Sequence, residues 1–135
     1  MMYSIELLDQ DKCLHFVGSG RLTSHEIGEA KKSLLTAQER LRHVRGFLVN
    51  LSNVEVLDIR ADEIRQLITL DAQLSMLAPG AAVAIVATKD HVFGMARMWE
   101  MLAGPTGWTI AVFRSRAEAD TWMDERLALS EQNDG

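Results

Sequence analysis

The run Ala82-Val83-Ala84-Ile85-Val86-Ala87 constrains the fold of this chain more than any other feature. It is apolar at every position and too short for a buried helix, so it reads as a strand whose two faces are both covered. Pro79-Gly80 before it and Thr88-Lys89-Asp90 after it act as breaks. A strand covered above and below sits inside a mostly parallel sheet flanked by helices, which is the α/β class. Phe47-Leu48-Val49-Asn50-Leu51 and Thr109-Ile110-Ala111-Val112-Phe113 have the same compact character and read as further buried strands.

Helical periodicity fills the intervals. Thr23-Ser24-His25-Glu26 is a capping-box pattern, and Ile27, Ala30, Leu34, Ala37 and Leu41 then predict a helix ending near Arg42. A second helix is predicted over about Arg60 to Leu77, with Ile64, Leu67, Ile68, Asp71 and Leu74 as its inner stripe. Asp58 or Asp62 suits its N-terminus, where the helix dipole favours negative charge. The third helix runs from His91 to Ala103, stopped by Gly104-Pro105. Ser115-Arg116-Ala117-Glu118 repeats the capping box before a fourth helix with Ala119, Trp122, Met123 and Leu127 inward, and residues from Glu131 on are expected to fray. At the start, Tyr3–Leu8 and Cys13–Gly18 read as strands joined by the polar Asp9-Gln10-Asp11-Lys12, a hairpin that adds an antiparallel edge. The order β-β-α-β-α-β-α-β-α predicts a mostly parallel five-stranded sheet with about four helices, as a single domain over residues 1–135.

Composition excludes several function classes. With 135 residues, 47% of them hydrophobic and 24% charged, the chain can fold without disulfides or metal. A net charge of −5 argues against nucleic-acid binding, which needs a positive footprint. The single cysteine, Cys13, excludes an internal disulfide and a Cys-rich zinc site, and a lone thiol fits a reducing compartment. The N-terminus has no basic segment followed by an apolar run, and no stretch approaches the roughly 18–20 apolar residues that span a bilayer. A cytoplasmic protein without stable membrane insertion is expected.

Chemistry-bearing motifs are sparse. His15, His25, His43 and His91 fall in different elements, without the paired spacing of a zinc site. Gly18-Ser19-Gly20 lacks both the third glycine of a dinucleotide loop and the Gly-Lys-Ser/Thr ending of a phosphate loop, and no Gly-x-Ser-x-Gly elbow occurs. No catalytic residue, cofactor or metal is predicted. The cluster Arg40, Arg42, His43 and Arg45 lies at a predicted helix C-terminus, where cations complement the dipole.

What remains is the segment Val92 to Leu102, apolar around most of its circumference. Val92, Met95, Ala96, Trp99 and Leu102 can face the sheet, which leaves Phe93, Met98 and Met101 on flanking or outer faces. Such a helix is either buried all round or meets a partner, membrane or ligand, and methionine suits adaptable surfaces. Arg97 and Glu100, three apart, can pair, or Arg97 can present its planar fork to a carboxylate or phosphate.

The element order, with Phe47-Leu48-Val49-Asn50-Leu51-Ser52-Asn53-Val54, Phe93-Gly94-Met95-Ala96-Arg97-Met98 and the stretch from Val112 to Met123, resembles the SpoIIAA-like family with its STAS/SEC14-type domain. The resemblance covers nearly the whole chain. It implies a βα superhelix in which consecutive strands lie side by side, and a non-enzymatic domain related to anti-sigma-factor antagonists, with CRAL-TRIO-like lipid binders as distant structural relatives. In antagonists that act as phosphoswitches, an Asp-Ser-Ser-Gly segment opens a helix with the serine that accepts phosphate. The matching stretch here is Asp58-Ile59-Arg60-Ala61, which has no serine, so regulation by phosphorylation at that place is not expected.

Three functional expectations compete. The first is a protein-interaction or regulatory module in which the loop from Ser52 to Asp62 and the Phe93–Met101 helix form a surface for a protein partner or a homodimer, using Phe93, Met95, Arg97, Met98, Met101, Asp58 and Arg60. The second is a binder of a small apolar ligand or lipid, with the third helix as the wall of a cavity of several hundred Å3 and Arg97 set for an anionic head group. The third, ranked last, is an enzyme that brings Asp58, Arg60 and His91 together at the carboxyl ends of the strands. The first gains support if the helices wind mainly to one side, since the doubly apolar strands then need cover on the other, from the hairpin, a neighbouring subunit or an unforeseen helix.

Overall fold

The computed structural model describes residues 3–134, with side chains through residue 132. Its elements are β1 (Tyr3–Leu8), β2 (Cys13–Thr23), α1 (Ser24–Thr36), β3 (Gly46–Asp58), α2 (Ala61–Leu77), β4 (Ala82–Val86), α3 (Asp90–Leu102), β5 (Thr109–Phe113) and α4 (Arg116–Asp134), with 3-10 turns at Gln38–Leu41 and Gly104–Thr106. One sheet carries the strands in the order β1-β2-β3-β4-β5, antiparallel between β1 and β2 and parallel elsewhere. Consecutive strands are therefore neighbours, as the resemblance implies.

The alternation within β4 divides the core. Val83 and Ile85 join Leu14, Phe47 and Leu51 on the face covered by α1, α2 and α3, while Ala82, Ala84 and Val86 meet Ala119, Met123 and Leu127 of α4. The second cover is thus the fourth helix. It lies close: a Cβ added at Gly46, the first residue of β3, would stand 2.5 Å from Met123 Sδ. The strand β5 is half-buried at the open edge of the sheet rather than in its interior.

The first helix starts where its capping box predicts. The Glu26 N–H donates to Thr23 Oγ1 at 3.2 Å, and the Thr23 N–H donates back to Glu26 Oε1 at 3.2 Å. Thr23→Ala removes the first of these bonds and should destabilise the protein by about 1 kcal/mol in urea denaturation. The helix stops at Thr36, six residues before the expected end, because Ala37 leaves helical geometry at φ −107° and ψ 52°. Leu41 reaches the core from the 3-10 turn instead.

The segment from Ser52 to Asp62, expected as a loop, is mostly strand. Beyond Val17 and Asn50, β2 and β3 continue as a two-stranded arm that pairs Ser19–Thr23 with Asn53–Asp58. Its register shifts twice, between Val17 and Ser19 and between Gly20 and Arg21, and Gly20 supplies a left-handed φ of 61°. Bulges of this kind bend and twist a strand pair.

Candidate functional site

Between the sheet and the layer of α1, α2 and α3 lies a cavity of about 140 Å3. Leu14, Phe16, Phe47, Val49, Val83 and Ile85 line it from the strands, and Leu57 and Ile59 reach it from the end of the arm. From the helices come Ile27, Ala30, Leu67, Leu74, Met95, Ala96 and Trp99, among others. Phe16 and Val49 lie on interior strands yet are only half-buried, so the helix layer does not seal over them.

The exceptions to this apolar lining are Lys31 and Asp71. Asp71 stands in the inner stripe of α2 and is 1% exposed. The Lys31 ammonium on α1 donates to its Oδ1, and the Trp99 indole N–H on α3 donates to its Oδ2 at 2.8 Å. One carboxylate thus ties three helices together over the cavity. A buried charge is tolerated when it is paired and its remaining oxygen is hydrogen-bonded, and both conditions hold. Trp108, also on the lining, donates its indole N–H to the Ala78 carbonyl at 2.9 Å.

The residues singled out from the sequence are distributed over five places. Met95 lines the cavity. Arg97, Met98 and Met101 lie on the outer side of α3, where Arg97 Nη1 donates to Glu100 Oε1 at 2.8 Å and the methionines are 39% and 78% exposed. Leu102, expected to face the sheet, is exposed as well. Phe93 is half-buried beneath the Arg114 guanidinium, 4.1 Å from its ring centroid, and Arg114 also donates to Asp90 Oδ1 at 2.7 Å. That set fastens the start of α3 to the end of β5. Asp58 pairs with Arg21 across the arm.

Arg60 occupies the N-cap of α2. Its N–H donates to Glu63 Oε1 at 2.9 Å, while its exposed guanidinium lies 3.4 Å from Asp62. A guanidinium has no acceptor, so the carboxylate that meets the N-cap N–H is that of Glu63. Asp62 stands beside it in the first turn, where the helix dipole favours negative charge as expected, and Asp58 ends β3 instead. The Ser24 hydroxyl donates to Glu63 Oε2 at 2.7 Å, and this bond, with the Arg60 N–H, holds the Glu63 carboxyl below its usual range.

Lys31 and Trp108 were not picked out from the sequence, and Asp71 was read only as part of an inner stripe. The carboxylate in an otherwise apolar stripe was the legible signal, since such a position demands a partner. Elsewhere, burial and then the charge of Asp9 push the Cys13 thiol up to about 11, which leaves it a protonated core group at neutral pH. Among the described residues, no three His, Cys, Asp or Glu side chains converge as metal ligands would, and no helix is long and apolar enough to cross a membrane.

No protein-family model and no curated protein matches the chain. Solved structures do. An uncharacterized protein of the DUF3478 family from Shewanella loihica PV-4, described as having a SpoIIAA-like fold, is 17% identical with a TM-score of 0.58, over 90% of this chain and 91% of that one. The anti-sigma factor antagonist SpoIIAA in its unphosphorylated form is 11% identical with a TM-score of 0.59, over 90% of this chain and 97% of its own. The strand order, the antiparallel β1 and the likeness along nine-tenths of the chain together give this protein the SpoIIAA-like, STAS-type α/β fold.

Proposed function

We propose that this protein is a non-enzymatic interaction or regulatory module that acts by association, through the outer face of α3. The observation that carries this reading is the exposure of Met98, Met101 and Leu102 on one side of a helix whose other side is fixed to the core by Val92 and Ala96. Exposed apolar side chains grouped on one face, around charged residues, mark association sites. The occupant that fits is a second copy of this chain. The face carries one cation and one anion, Arg97 and Glu100, among apolar side chains. Such a face is complementary to itself across a two-fold axis, with each Arg97 set against the other copy's Glu100. The helix start that holds a phosphoacceptor serine in the antagonists has Arg60 and Ala61 here, so association stands without that switch.

The measurement is molar mass by light scattering across a concentration series. The wild type should form a dimer, and the Met98→Asp/Met101→Asp double variant should be a monomer with an unchanged circular dichroism spectrum. A wild type that stays monomeric at its highest soluble concentration, or a double variant that dimerises as well as the wild type, overturns the assignment of this face.

A second reading, the binding of a small apolar ligand, is favoured by the cavity and its wall of Met95, Ala96 and Trp99. At about 140 Å3 it is smaller than the several hundred Å3 of sites for drug-sized ligands, so it suits a correspondingly small guest.

A further inference from the structure

We infer that the cavity over β2, β3 and β4 binds a neutral, single-ring or short-chain molecule carrying one hydroxyl group, with the hydroxyl held between Lys31 and Asp71. This inference rests on the ligand-binding reading and specifies its chemistry. Size comes first. An apolar cavity of about 150 Å3 takes a benzene-sized guest, and this one, open on one side, measures about 140 Å3. Such a volume does not hold a diacyl lipid or a sterol whole.

Polarity comes second. The indole N–H of Trp99 is spent on Asp71 and that of Trp108 on Ala78, so the Lys31–Asp71 pair is the polar partner left to a guest. The Lys31 ammonium has three N–H donors and gives one to Asp71 Oδ1. The Asp71 oxygens each accept one bond and have lone pairs to spare. A hydroxyl matches both needs, accepting from Lys31 and donating to Asp71. A carboxylate offers no donor and would bring a second negative charge beside a pair that is already neutral, in a lining that cannot solvate it. Arg97, which could have received an anionic head group, lies on the outer face of α3 with Glu100.

The test uses the full chain labelled at the methionine methyl groups, titrated with benzene, phenol and benzoate and followed by NMR. Met95 reports the cavity, and Met98 and Met101 report the outer face. Phenol should shift the Met95 methyl saturably and bind at least fivefold more tightly than benzene, and benzoate should bind at least tenfold more weakly than phenol. The Lys31→Met/Asp71→Leu variant should bind benzene and phenol with equal affinity. If neither benzene nor phenol moves Met95, the ligand-binding reading itself fails. If both bind equally well to the wild type, or benzoate binds best, the cavity is a site but the hydroxyl assignment is overturned. A phenol preference that survives in the double variant overturns the role of the pair.

Discussion

Phe47→Ala should lower the free energy of unfolding by about 4–5 kcal/mol, the upper part of the range for deleting a buried aromatic side chain. Phe47 is buried in β3, lines the cavity and lies 5.1 Å from the Trp108 ring between centroids. Truncating it forfeits the transfer free energy of the ring and the aromatic contact, and it joins the vacated space to a cavity of about 140 Å3. Its neighbours Leu14 and Val83 sit on the adjacent strands, pinned by ladder hydrogen bonds, and cannot close the gap. The cost of a cavity depends on how far its surroundings can collapse, and here they can collapse little. Phe47→Leu, which keeps most of the volume, should cost about 1.5 kcal/mol or less. Urea denaturation at fixed pH reads both. A loss below about 1 kcal/mol for the alanine variant would mean that the helix layer settles into the space and that the cavity is not held open by the sheet.

Asp71→Ala should cost about 3 kcal/mol. Removing one partner of a buried ion pair costs roughly 3–5 kcal/mol, because the other charge is left uncompensated. The Lys31 side chain is 19% exposed, so its ammonium can turn towards water, which places the loss at the low end of that range. The Trp99 N–H, on a half-buried side chain, loses its acceptor as well, and a buried donor without a partner costs about 1–3 kcal/mol. Lys31→Met/Asp71→Leu removes both charges and fills their volume with apolar atoms, and it should recover the part of the loss that comes from the stranded ammonium, while the Trp99 N–H stays without its acceptor. A double-mutant cycle by urea denaturation measures the coupling. If the double variant is as unstable as Asp71→Ala, the unpaired Trp99 N–H rather than the stranded ammonium dominates.

These two positions also show how far the sequence could be read. Phe47 belongs to a run whose apolar character on both faces announces a buried strand, and the structure places it there. Asp71 belongs to a helical stripe correctly read as facing inward, yet its spacing names no partner. Lys31 and Trp99 lie 40 and 28 residues away from it, and only the packing of α1, α2 and α3 brings the three together. The two-stranded arm was missed for a related reason. Its polar positions alternate with Val54, Val56 and the half-buried Leu57 in a pattern broken by bulges, so the period of two does not hold over enough residues to be seen.

Local chemistry determined the elements: the Thr23–Glu26 box, the breaks at Pro79-Gly80 and Gly104-Pro105, and the doubly apolar strands that demand helices on two sides. Those demands follow from short-range patterns and backbone preferences, which a linear string carries in full. Which side each helix takes, how nearly three of them close over the sheet, and whether the remainder is a filled core or a hollow with an ion pair at its wall were decided only in three dimensions. The physical reason is that a cavity is a residual of packing. It depends on the sum of many side-chain volumes and helix positions, and no single residue encodes it.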